Sequence, residues 1–441
     1  MREAGLRKRA VLWLLLLAPF FFASYGFATW YATQQAQVAS LVFGWEGWIP
    51  FWAWTIVPYW SIDLLYGLSL LLPLTRRELD SHALRLLTAQ VVAVSCFLLW
   101  PLRFTFERPE LDGLFGWLFA VLAGFDKPFN QAPSLHIALL VILWVCYARH
   151  VQGPWRWLLH GWFGLIGLSV LTTYQHHFVD LPTGALLGWL CVWLWPDTLR
   201  SPLAGVSVSR DSKRLRLAAA YLAVGVLAGM LAFTWHGGWL WLLWPSVAVL
   251  LVGFNYAFLG AAGFQKQANG QHSAAARWLF APYRLAAWAN SRAWTYRHPQ
   301  PDLVVEGIWL GRIPTASQLR GGPFMALLDM CAELPAKPAG MAYQALPALD
   351  LCSLDAAQCR QAAQAIEALR NHGPLLVCCA LGYSRSATAV AAWLLLSGRA
   401  AGPQQAAAII RQARPRVVFR EAQMQVLGAL SNSLEQVTHG Q

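Results

Sequence analysis

A bundle of membrane-spanning helices followed by a soluble α/β domain is the fold class this sequence predicts, and three observations predict it. The 441 residues are 57% hydrophobic and 12% charged with 25 Trp, too apolar for one soluble domain and too long for one core. Apolar runs near 10–32, 50–73, 83–102, 135–150, 156–174, 178–196, 217–235 and 238–262 each approach the roughly 20 residues a spanning helix needs, which gives about eight spans. From Pro301 onward, short apolar strands (LVVEGIWLG, FMALLDM, PLLVC) alternate with Ala-rich helical stretches such as AAQCRQAAQAIEALRNHG. The predicted division is a polytopic domain over 1–263, a linker over 264–300 and a soluble domain over 301–441.

The net charge of +12 sits in short loops between apolar runs rather than in one stripe, which points to membrane orientation and away from nucleic acid. Basic residues cluster at Arg7, Lys8 and Arg9, at Arg76 and Arg77, at Arg149 and Arg156, and from Arg200 to Arg216. These are alternate loops, so they are predicted to be cytoplasmic together with the N-terminus. Loops 33–49, 103–134, 174–177 and 236–237 then face outward, and an even number of spans returns the chain to the cytoplasm after Phe264. The apolar run from Ala10 to about Ala32 reads as a retained signal-anchor, with cleavage as the alternative. Eight Cys without a spaced framework predict reduced thiols. In the linker, Trp278, Tyr283, Trp288, Trp294 and Tyr296 interleave with Arg277, Arg284, Arg292 and Arg297, a pattern suited to a helix lying on anionic lipid or to an ordinary connector.

The stretch LLVCCALGYSRSATAV (375–390) predicts strand, loop and helix, with loop amides converging on an oxyanion at the helix N-terminus. Cys379 supplies a sulfur nucleophile, and the helix dipole and Arg385 favour its thiolate. The Arg385 fork matches two phosphoryl oxygens, Gly382 lets the loop curl, and Ser386 is placed to stabilise the sulfur after transfer. The loop positions Ala380, Leu381, Tyr383 and Ser384 complete the phosphate cradle and carry no Lys. This run resembles the signature of cysteine-dependent protein tyrosine phosphatases, in particular the dual-specificity branch, over roughly 301–430, including EGIWLGRIPTASQL and ARPRVVF. The resemblance implies an Asp on a movable loop as proton donor. Asp350 occupies that place and Asp355 is the reserve candidate. Cys378 stands where that family usually has His, as a plain strand residue or as a redox partner of its neighbour.

In the membrane part, LRFTFERPELDG (101–113), DKPFNQAPSLHIALL (126–140) and TTYQHHFVDLPTGALLG (172–188) put polar residues at the outer ends of spans, where they need a reason. His176 and Asp180 are four apart, so Asp180 can accept from one ring nitrogen and leave the other as nucleophile; His177 points elsewhere. PSLH and QHHFVD resemble the second and third motifs of the type 2 phosphatidic acid phosphatase superfamily, closest to its inositolphosphotransferase-like branch, over a core of about 80–200. The resemblance implies a phosphohistidine on His176 oriented by Asp180, with His136 as acid for the leaving group. Arg108-Pro109 fits the first motif, and Arg103 stands in for its missing Lys. Asp126 and Lys127 read as a solvated interfacial pair, and Asp63 as a candidate for the same cavity.

Together these readings predict a bifunctional membrane phosphatase without metal or cofactor. Its outer lipid site hydrolyses or transfers a phosphoryl group, and its cytoplasmic domain hydrolyses phosphomonoesters. The expected partners are membrane lipids and a phosphorylated lipid or phosphoprotein, and the expected location is a bacterial inner membrane. Lipid phosphotransfer with a regulatory phosphatase domain, or a non-catalytic phosphate-sensing transporter, are the alternatives.

Overall fold

The structure, a computed structural model, describes residues 2–338 and 340–439. The chain divides into two compact units, Met1–Ala204 with Leu227–Trp244, and Gly205–Val226 with Pro245–Gln441.

The first unit is helical: α1 (Leu6–Thr33), α2 (Ile56–Ser69), α3 (Arg76–Leu99), α4 (Gly113–Phe125), α5 (Leu135–His150), α6 (Trp155–Thr172) and α7 (Asp180–Leu194), while α8 (Ser212–Trp235) and α9 (Leu243–Phe254) each have residues in both units. Among the described residues, four helical segments are long and apolar enough to cross a membrane: Leu6–Thr33, Arg76–Leu99, Ser212–Trp235 and Gly237–Phe264. The other four expected spans form shorter helices. Their ends are set by local chemistry that apolarity does not reveal. The Ser134 hydroxyl caps α5 by accepting from Ile137 N at 3.2 Å, and α7 begins only at Asp180 after a turn. With 15 residues, α7 is about 22 Å long against a hydrocarbon core of about 30 Å.

α5 and α7 pack closely because Gly184 and Gly188 present no side chain. A Cβ would stand 2.4 Å from Ser134 O at Gly184 and 2.7 Å from Val141 Cβ at Gly188. That approach brings the start of α5, with Ser134 and His136, beside the turn that carries His176.

The second unit holds α10 (Ala274–Leu279), α11 (Ala281–Trp294), β1 (Asp302–Val305), β2 (Ile308–Arg312), α12 (Ala316–Gly321), β3 (Ala326–Cys331), β4 (Ala342–Ala348), α13 (Ala356–Leu369), β5 (Leu375–Cys379), α14 (Arg385–Leu396), α15 (Pro403–Ala413) and α16 (Glu421–His439). The sheet order is β1-β2-β5-β3-β4, with β1 antiparallel to β2 and the other pairs parallel. Buried on both faces, β5 reads as an unbroken apolar run. Leu375, Val377 and Cys379 join the core under α13 and α14, while Leu376, Cys378 and Ala380 join a second cluster that includes Ala287 of α11.

The segment 264–300, expected as a linker, contributes to this unit's interior. Lys266 Nζ forms a buried ion pair with Asp329 and donates to Cys331 O (2.6 Å) and Leu334 O (2.8 Å). Burial alone would lower the Lys266 ammonium, but the Asp329 carboxylate outweighs it and holds it above its ordinary value. Trp288, Trp294 and Tyr296 on the same segment stay exposed.

Candidate active sites

The first candidate site lies within the helical unit. His176 precedes α7 in a non-helical turn, yet its Nδ1 lies 3.1 Å from Asp180 Oδ2, and Asp180 Oδ2 also accepts from His177 N at 3.2 Å. The other ring nitrogen, Nε2, is 3.2 Å from Ser134 Oγ. His136 stacks on Tyr59 with ring centroids 4.2 Å apart. His136 and His176 line one cavity of about 490 Å³, and Asp63 and Asp126 line it too. Asp126 is not the solvated partner of Lys127: it accepts from Tyr25 Oη at 2.7 Å and Tyr59 Oη at 3.2 Å.

The two arginines expected to hold phosphate do not line this cavity. Arg103 is exposed, and Arg108 spends its guanidinium on Tyr174 O (3.2 and 3.1 Å) and on the Phe119 ring; neither lines the cavity. His177 is buried between Glu46 Oε2 (2.9 Å) and Thr105 Oγ1 (3.1 Å) and stacks on Phe104, a structural histidine.

The second candidate site is the loop from β5 into α14. Cys379 Sγ accepts from Gly382 N and from Ser386 Oγ, each at 3.2 Å. Gly382 has φ +74°, and a Cβ there would stand 2.3 Å from the Gly311 carbonyl carbon, so only glycine fits. Every carbonyl from Cys379 to Ser384 is held by a donor. Ile313 N takes that of Cys379 (2.6 Å), Ser291 Oγ that of Ala380 (2.5 Å), and the Arg414 guanidinium those of Leu381 (3.4 Å) and Gly382 (3.1 Å). Val418 N takes that of Tyr383 and Thr388 N that of Ser384, both at 2.8 Å. In a trans peptide the N–H points opposite its C=O, so fixing these carbonyls aims the amides of residues 380–385 the other way, toward the concavity over the sulfur. Tyr383 contributes backbone alone, its ring lying under the Arg414 guanidinium at 4.9 Å.

Arg385 is buried, and its fork is held by a second fork. Nη1 donates to Glu333 Oε2 (2.9 Å) and Ala348 O (2.8 Å), Nη2 to Glu333 Oε1 (2.7 Å), and Asp350 Oδ1 lies 2.9 Å from Nη2. Burial would raise the Glu333 carboxyl, but the Arg385 charge overrides it and holds the group below its ordinary range; Glu333 and Asp350 likewise raise the guanidinium against its burial. Asp355 is committed to capping α13, accepting from Gln358 N at 2.8 Å, which leaves Asp350 as the carboxylate beside the loop. Burial, reinforced by Asp329, pushes the Cys378 thiol well up, as suits a protonated strand residue.

No family model matches this chain, and no curated protein matches it. Solved structures do. Human DUSP28 is 23% identical, the match covering 31% of this chain and 96% of that one with a TM-score of 0.29. Tk-PTP in its active form is 25% identical over 31% of this chain and 98% of its own, TM-score 0.29. PTPMT1 in complex with PI(5)P is 21% identical over 31% and 96%, TM-score 0.28. These neighbours are dual-specificity and protein tyrosine phosphatase-like domains.

Four residues of this site escaped the sequence. Glu333 carried a faint signal, an acid closing the apolar stretch FMALLDMCAEL, because a charge there needs a partner. Arg414 sits in the ARPRVVF run but had no role until the carbonyls were visible. Ser291 gives no signal at all. Nor does Tyr256, whose hydroxyl donates to Asp350 O at 3.0 Å and steadies the loop that carries that acid.

Proposed function

We propose that the second unit hydrolyses phosphomonoesters through Cys379. The observation that carries this is the outward tethering of six consecutive carbonyls around a sulfur that already accepts two hydrogen bonds. A phosphoryl group takes the inward amides and the Arg385 fork, displacing Asp350 from Nη2. The sulfur attacks phosphorus, the ester P–O bond breaks, and the Asp350 carboxyl gives its proton to the leaving oxygen. Water then cleaves the P–S bond, Asp350 takes its proton back, and Ser386 receives the thiolate.

We further propose that the first unit acts on a lipid phosphoryl group at the outer face of a bacterial inner membrane, with the N-terminus and the second unit cytoplasmic. His136 and His176 on one cavity support this reading. His176 Nε2 attacks phosphorus, His136 protonates the leaving oxygen, and water or an alcohol cleaves the P–N bond. Phosphate release by the full chain from a chromogenic phosphomonoester tests the first proposal: Cys379→Ser abolishes it and His176→Ala does not. Diacylglycerol release from phospholipid tests the second, with the opposite pattern. Full activity of both variants toward both substrates would end both readings.

A further inference from the structure

The cavity of the first unit carries two carboxylates and two histidines on its wall. Asp63, from the middle of α2, and Asp126 contribute to its wall, and no Lys or Arg does. Asp63 is exposed and makes no hydrogen bond or ion pair among the described residues, so its carboxylate is open to a ligand in the cavity. An independent observation points the same way. Asn130 lines the cavity, is 3% exposed, and donates from Nδ2 to Thr29 Oγ1 (2.8 Å) and Tyr25 O (3.3 Å). The Tyr25 carbonyl can only accept, which fixes the amide's orientation and leaves Oδ1, an acceptor, with no partner.

Asp63 and Asn130 Oδ1 are acceptors without a partner, and the Asp126 carboxylate keeps lone pairs beyond those its two tyrosines use, so a cation rich in N–H donors answers this wall. A phosphomonoester dianion would meet like charge on a wall that Arg103 and Arg108 do not line. A phosphodiester carries a single negative charge, and an amine on its head cancels the charge on the wall. Leu14, Phe21 and Phe22 of α1 give the cavity an apolar side suited to the start of an acyl chain.

We infer that this cavity receives the ammonium head of a zwitterionic phosphodiester lipid, with Asp63, Asp126 and Asn130 Oδ1 as its acceptors. This deepens the histidine chemistry proposed for the same cavity by naming its substrate class, and the test separates the two. The full chain is purified from mixed micelles holding equal amounts of phosphatidylethanolamine, phosphatidylglycerol and phosphatidic acid; retained lipid is measured by mass spectrometry and diacylglycerol release in parallel. Phosphatidylethanolamine is retained about tenfold over each of the others, Asp63→Asn removes that preference, and Asp63→Glu restores it. His176→Ala keeps the preference and loses release. Retention of the amine lipid without release in the wild type ends the histidine chemistry alone. Equal retention, a preference for phosphatidic acid or for the polyol head of phosphatidylglycerol, or an Asp63→Asn variant that binds as wild type overturns the inference.

Discussion

The two candidate sites solve opposite electrostatic problems. In the second unit an anion is invited by backbone: six carbonyls are tied back, the amides between them are aimed inward, and one buried guanidinium is held by Glu333. In the first unit side chains do everything, and they are acids, histidines and tyrosines. The backbone site, as proposed above, would accept any tetrahedral oxyanion, because peptides carry no chemical preference beyond charge and geometry. The side-chain site, as proposed above, would discriminate between head groups, because each acceptor demands a donor.

The largest expected break in that comparison is Cys379→Ser, which lowers phosphomonoester turnover about 10⁴-fold or more while KM changes little, since the cradle stays intact. Lys266→Met comes next. It strands Asp329 in the interior and destabilises the second unit by about 3–5 kcal/mol, read from hydrogen-exchange protection of the β5 amides. A pH effect follows in size. Burial lowers His272 to about 3 while its Nε2 faces Ala332 O at 2.8 Å, so the folded state holds it neutral. Its contribution to stability is complete above an ordinary histidine value and is lost as pH falls toward 3. Between pH 7 and pH 5 the loss is about 2 kcal/mol, and His272→Asn flattens that slope.

Ser291→Ala frees the Ala380 carbonyl and lowers kcat about tenfold with the fold retained; Ser291→Thr recovers most of the rate. A structural role alone would lower stability and leave kcat unchanged. Asp355→Ala is the smallest, about 1 kcal/mol from the lost cap of α13 with turnover unaffected; a loss of turnover comparable to that of Asp350→Asn would return Asp355 to the reaction.

Local chemistry was legible in the sequence, and long-range supply was not. The strand, loop and helix around Cys379 could be read because sulfur, glycine and arginine carry their roles in their types and spacing. β3 and β5 stood out as apolar runs. β4 did not, being a half-buried edge strand that contains Pro347. Helix lengths were less legible than apolarity, which gives composition without the caps and turns that end a helix, as Ser134 and the turn before Asp180 do. Ser291, Glu333 and Arg414 lie 89, 52 and 32 positions along the chain from the residues they hold and meet them only through folding, so no spacing rule reaches them. Asp126 misled because a carboxylate beside a lysine in sequence looks solvated, whereas its partners are tyrosines about 70 and 100 residues away.

The grip of residues 264–300 on the sheet sets where this catalytic module can be cut. A cassette excised at Pro301 would leave behind the ammonium that neutralises Asp329 and the hydroxyl that turns the Ala380 peptide. Grafted onto another protein, it would carry the nucleophile without the scaffolding that aims the cradle. The transferable piece therefore starts upstream of Lys266, so that transplantation has to take the connecting stretch along with the α/β domain it was thought merely to tether.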